Sequence, residues 1–144
     1  MKHTEIIDLG IGIEIHYYLD ANDTAQQFTM FKCVVHPDAK VPAPHYHDTF
    51  DETFYVLTGS ATVTLDGKTI NMKPGEHAFI PKGTVHGFHN TTTEIVEILC
   101  YATPGVFTAD YFKDLRDILT AGGPPDMKKV KEIMLNHGLV PVAG

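Results

Sequence analysis

The sequence predicts an all-β domain, a sandwich or a barrel, followed by two amphipathic helices. Three observations carry this. Short runs rich in Val, Ile, Thr, Phe and Tyr follow one another from about Glu14 to Thr103, and these residue types suit a pleated, half-buried surface. Gly, Pro and Asp-Gly turn signals separate the runs at close spacing. After Pro104 the apolar residues change to helical spacing.

In chain order the strands read as "IEIHYYL", "QFTMFKCVVH", "ETFYVLTG", "SATVTL", "KTINM", "EHAFI", "VHGFHN" and "EIVEILCYAT", with Asp66-Gly67 as a tight hairpin turn and Pro74-Gly75 as a second turn. Seven or eight strands in about 90 residues suit a sandwich or barrel. In "FTADYFKDLRDILTAGG", Phe107, Tyr111, Leu115 and Ile118 fall at helical spacing before glycines that suit a helix end. In "DMKKVKEIMLNHGL", Asp126 is placed as N-cap, Val130, Ile133 and Met134 form an apolar stripe, and Gly138 terminates the helix. The expected organisation is a β unit over residues 1–104 and a helical extension over 105–144 packed on the same domain. The helices are expected to cover the outside of the β unit or a partner; the sharper alternative is a lid over a pocket.

The 144 residues, 43% hydrophobic and 20% charged, suit one compact soluble domain. A formal charge of −7, with Arg116 as the only arginine, argues against nucleic acid and anionic membranes as partners. Small molecules and proteins remain. No apolar run is long enough to cross a bilayer, and the acid-bearing start is unlike a signal peptide, so a cytoplasmic address is expected. Cys33 and Cys100 stand apart within apolar runs and read as reduced, buried, structural residues.

Chemistry concentrates in "HYHDTFDETFYVLTG". Residues i and i+2 of a strand share a face about 6.6 Å apart, so His45 and His47 can aim at one ion while Tyr46 faces away. A bend can return Glu52 beside the two rings. Taken alone, the His-x-His pair reads equally as two unliganded histidines on an exposed strand. A second stretch, "GEHAFIPKGTVHGFHN", changes the balance by delivering His86 at the start of another strand, a fourth ligand. Neutral imidazole and carboxylate together suit a borderline divalent metal such as Fe, Mn, Ni, Co, Cu or Zn.

These two stretches resemble the paired signature of the cupin superfamily, in the small single-domain, quercetin-dioxygenase-like form. The first pattern, G-x5-H-x-H-x3–4-E-x6-G, falls on Ala39, His45, His47, Glu52 and Gly59. The second, G-x5-P-x-G-x2-H-x3-N, falls on Gly75, Pro81, Gly83, His86 and Asn90. Ala39 in place of the first glycine is the one departure, and it touches a turn rather than a ligand. The resemblance covers roughly residues 39 to 90. It implies a double-stranded β-helix, or jelly-roll barrel, with one divalent transition metal per chain held by His45, His47, Glu52 and His86 in its mouth. Four protein ligands would leave an octahedral ion open positions for a small molecule. Pro42 and Pro44 stiffen the approach to His45, and Asn90 is expected to bond backbone at a turn. His16, His36, His77 and His89 read as surface or packing residues, and His89 should face away from the metal.

Cupins host many chemistries, so the neighbourhood of the site must discriminate. Arginine grips carboxylate and phosphate through two bonds, and the β region has none, which lowers the case for a small-anion substrate. Phe54 and Val56 share the parity of Glu52, and Phe88 that of His86, so these three are candidates for an apolar wall. The leading expectation is a metal-dependent dioxygenase or other oxidoreductase acting on a small neutral or aromatic enolisable substrate. Glu52 would be ligand and proton acceptor. The alternatives are a metal-dependent isomerase or lyase, with Glu94, Glu97, Tyr46 or Tyr101 as acid or base, and a non-catalytic small-molecule binder. Open sheet edges and amphipathic helices favour a homodimer.

Overall fold

A computed structural model describes residues 3–41 and 43–142. Pro42 and the two residues at each end of the predicted organisation lie outside the described residues. In chain order the described elements are β1 (Glu5–Asp8), β2 (Ile13–Leu19), β3 (Thr29–Val35), β4 (His45–His47), β5 (Asp51–Thr58), β6 (Ala61–Leu65), β7 (Lys68–Met72), β8 (His77–Ile80), β9 (His86–His89), β10 (Val96–Thr103), α1 (Ala109–Leu119), α2 (Met127–Asn136) and β11 (Leu139–Pro141).

The strands form two antiparallel sheets, ordered β1-β2-β3-β10-β5-β8 and β11-β4-β9-β6-β7. Their pairing is nested: β3 with β10, β4 with β9, β5 with β8, and β6 with β7. One long hairpin, folded at β6–β7 and wound back and forth between two sheets, gives this nesting, and it is the jelly-roll barrel. Its tip is Asp66-Gly67, at φ 50 and 80. A type I′ hairpin turn needs both values positive, and its backbone matches the strand twist. Alternation places Ile13, Ile15 and Tyr17 of β2 and Val96, Ile98, Cys100 and Ala102 of β10 inward, in one continuous core.

The turn at Ala39 needs no glycine. The left-handed residue there is Asp38, at φ 66, and Asp tolerates that conformation better than most side chains. Ala39 is buried in the core instead.

Two strands were not predicted. β1 buries only Ile7 of its four residues, so its alternation is invisible. β11 is three residues long and pairs with β4, placing Leu139 opposite His47 and Pro141 opposite His45. Beyond the helix end at Gly138 the chain thus returns as an edge strand of the histidine-bearing sheet.

Asp126 caps α2, accepting from the backbone N–H groups of Lys128 and Lys129 at 3.1 and 3.3 Å. Phe107 lies before the first turn of α1, not within it, because the helix starts beyond Thr108. The helices plug one end of the barrel. Phe31 packs 5.1 Å from Phe112 and 5.5 Å from Phe107 between ring centres, and Phe107 stacks on Phe50 at 4.6 Å. Gly138 links α2 to β11 at φ 81, where an added Cβ would lie 2.6 Å from Thr49 Oγ1. Gly138→Ala is therefore expected to destabilise the fold by more than about 1 kcal/mol, read as a lower urea midpoint at unchanged slope.

Candidate metal centre

The extended backbone of β4 turns His45 and His47 inward, 8% and 2% exposed, with the half-buried Tyr46 between them. β9 runs alongside and sets His86 directly opposite His45. From the other sheet, β5 delivers Glu52, 4% exposed. The ring centres of His45 and His47, His45 and His86, and His47 and His86 are 5.2, 4.7 and 4.6 Å apart. One ligand atom from each of the three imidazoles lies within 4.8 Å of the others. Glu52 Oε1 is 3.6 Å from His86 Nε2 and 3.8 Å from His47 Nε2.

Backbone carbonyls set the tautomers. His45 Nδ1 lies 2.8 Å from the Ala43 carbonyl and His86 Nδ1 lies 2.9 Å from the Thr84 carbonyl. A carbonyl only accepts, so each Nδ1 carries the proton and each Nε2 keeps a free lone pair, the state a metal-binding imidazole needs. His47 is steadied by stacking on Phe50, 4.2 Å between ring centres. Neither of its ring nitrogens has a hydrogen-bond partner. An unpaired buried polar group costs about 1–3 kcal/mol, and an ion bound among the rings would supply the missing partner. Three neutral imidazoles beside a carboxylate can hold a borderline divalent ion.

Electrostatics favours the same state. Burial, and then the charge of His86, lowers His45 to about 4 and takes His47 lower still. Burial raises Glu52, partly opposed by its hydrogen bond to His86. His45 and His47 are thus held neutral at physiological pH.

The centre opens on a cavity of about 60 Å³. Phe54 and Phe88 line it; Val56, fully buried, packs in the core and is not part of its wall. None of Tyr46, Glu94, Glu97 or Tyr101 lines it, and Glu97 pairs instead with Lys32 at 2.6 Å. No lysine or arginine lines it either. The far wall comes from the helical extension: Phe107, Tyr111, Phe112, Leu115 and Met134. The expectation of a lid over a pocket describes this arrangement better than an outer cover does.

Other expected roles also find their places. His36 pairs with Glu14 at 3.1 Å, His77 stacks on Tyr55, and His89 lies away from the cavity. Asn90 donates to the carbonyls of Val35 and Glu94 at 2.9 and 2.7 Å. Asp51 is not simply solvated: it accepts from the Lys82 backbone N–H at 2.8 Å, tying β5 to the turn before His86. Cys33 and Cys100 are free and buried, with sulfurs 3.9 Å apart, and both line the cavity. Sequence reasoning missed their place there, and that of Tyr111, because apolar patterning does not separate a core position from a cavity wall.

A nested double-stranded β-helix with three inward histidines and a buried glutamate defines a class of small barrels whose interior could hold a metal ion. The chain belongs to the cupin superfamily: the family model of the cupin domain matches residues 31–101. It is 30% identical over 80 residues to the pectin degradation protein KdgF of Dickeya dadantii, covering 56% of this chain and 68% of that one. It is 37% identical over 75 residues to quercetin 2,3-dioxygenase of Bacillus subtilis, covering 51% of this chain and 21% of that one. The structure of KdgF from a Halomonas species superimposes with a TM-score of 0.61 at 21% identity, covering 69% of this chain and 86% of that one. Several curated relatives are matched over only half of their length or less.

Proposed function

We propose that the protein is a metal-dependent oxidoreductase, a dioxygenase acting on a small, neutral, enolisable molecule. The observation that carries this reading is the junction of a His45–His47–Glu52–His86 ligand set with a cavity lined by no lysine or arginine. Such a cavity has no fork to grip a carboxylate or phosphate. Similarity to a quercetin dioxygenase supports the reading, but the size of the cavity directs it to smaller ligands. A cavity of about 60 Å³ is smaller than the roughly 150 Å³ that encloses a benzene ring, so a single ring enters it only in part and a fused flavonol does not fit.

A divalent metal held by these four residues would supply Lewis acidity and an oxygen-reactive centre. The chain's own residues do the rest. Glu52 accepts the proton of the enol hydroxyl as the substrate docks. Phe54 and Phe88 hold the apolar body of the substrate and exclude water. Val56 backs that wall from the core. The isomerase alternative loses support because its four candidate acid–base residues stand outside the cavity.

The test is oxygen uptake by protein reconstituted separately with Fe, Mn, Ni, Co, Cu and Zn, with His86→Ala as blank. Uptake with small enols or catechols, lost in the blank, is the expected result. No uptake with any metal, or turnover supported by Zn, would refute the reading.

We also propose that two copies associate through the outer face of the six-stranded sheet. Tyr55, Leu57, Phe79 and Tyr101 expose apolar surface there, Phe79 at 63%, and such patches mark interfaces. Light scattering is expected to give twice the chain mass, and Phe79→Asp with Tyr55→Asp to return it to one.

A further inference from the structure

Tyr111 carries the only hydroxyl among the side chains that line the cavity; the other polar groups there are the four proposed ligands and the two thiols. It is 3% exposed. Its hydroxyl forms no hydrogen bond with any described residue. The contrast is Tyr17, equally buried in the same aromatic cluster, whose hydroxyl donates to the Phe107 carbonyl at 2.5 Å. A phenolic hydroxyl on a residue that lines the cavity, with no partner among the described residues, is free to donate to a ligand there.

The ring is held for that task. Phe112, Phe107 and His137 pack around it at 5.0, 5.5 and 5.5 Å between ring centres, and His137 is itself tied to Asp114 Oδ2 at 3.0 Å. Burial first, and then the charge of Glu52, pushes the ionisation of the phenol upward. The hydroxyl thus keeps its proton to donate and stands within electrostatic reach of the carboxylate. Tyr111 comes from α1, outside residues 31–101 matched by the cupin domain.

We propose that the Tyr111 hydroxyl donates a hydrogen bond to a second oxygen of the substrate. The site then selects small single-ring or acyclic molecules with two neighbouring oxygens, one directed to the metal centre and one to Tyr111. This rests on the metal-centre reading above.

The test is anaerobic calorimetric titration of the metal-loaded protein with catechol and with 2-methylphenol, which replaces one oxygen by a methyl group of similar size. Wild type is expected to prefer catechol. Tyr111→Phe, with unchanged metal content and melting temperature, is expected to weaken catechol by about tenfold and to leave 2-methylphenol unchanged. Catechol bound equally well by Tyr111→Phe, an equal loss for both ligands, or no binding of catechol to wild type would each overturn the proposal. His86→Ala separates the two readings. If it abolishes catechol binding while Tyr111→Phe has no effect, the metal centre stands and the tyrosine anchor falls. If catechol binds His86→Ala as tightly as wild type, the metal-centre reading itself falls.

Discussion

Replacing His86 by alanine is expected to lower metal affinity by at least about 100-fold, to leave the purified protein nearly metal-free, and to abolish oxygen uptake. The magnitude follows from the geometry. Disturbing a residue that merely orients a ligand already costs about 10- to 100-fold, whereas His86 supplies a ring nitrogen and the closest imidazole contact of Glu52, at 3.6 Å. Because β4 and β9 meet at the His45–His86 pair, the rings stay in register only as long as those strands do. His86→Asn keeps a polar group there and separates loss of ligation from loss of packing. Elemental analysis after dialysis reads the effect, and full metal occupancy in His86→Ala would remove this residue from the ligand set.

Acidification is expected to destabilise the metal-free protein strongly between pH 6.5 and 4. His45 titrates at 6.5 when unfolded and at about 4 when folded, so in that window the unfolded chain binds the extra proton. Stability is fully present above pH 6.5 and is lost as pH falls through the folded value. A shift of this size corresponds to about 3 kcal/mol, and His47 acts with the same sign. Glu52 acts oppositely: its raised folded value stabilises at low pH and is lost as pH rises through it. Urea midpoints of chelator-treated protein at pH 7, 5.5 and 4.5 measure this, and a flat profile would contradict it. The loaded protein is expected to hold its stability to lower pH and then lose ion and fold together, since binding requires neutral imidazoles.

Much of this protein is written in local pattern. The strands from "IEIHYYL" to "EIVEILCYAT" are legible because one face of each meets the core, which imposes a period of two. Asp66-Gly67 is legible because positive φ at both turn positions demands such residues. His45, His47, Glu52 and His86 are legible because turns and short strands transmit register faithfully, so fixed spacing becomes fixed direction. What escaped has equally physical reasons. β1 and β11 are too short to show alternation and become strands only by pairing with neighbours. Val56 shares the parity of Glu52, but parity sets the face and not the distance to the ion.

The sequence by itself determined the barrel, the candidate ligand residues and the absence of arginine from the strands, since each is a matter of residue type at a spacing along one strand or turn. Only the tertiary structure decided what closes the cavity. Tyr111 and Leu115 occupy the same apolar face of α1, and helical periodicity treats them alike. Where that face docks depends on contacts between residues far apart in the chain, such as Phe31 with Phe112 and β11 with β4. No local pattern encodes those distances, so the place of Tyr111 on the cavity wall becomes visible only when the chain is folded.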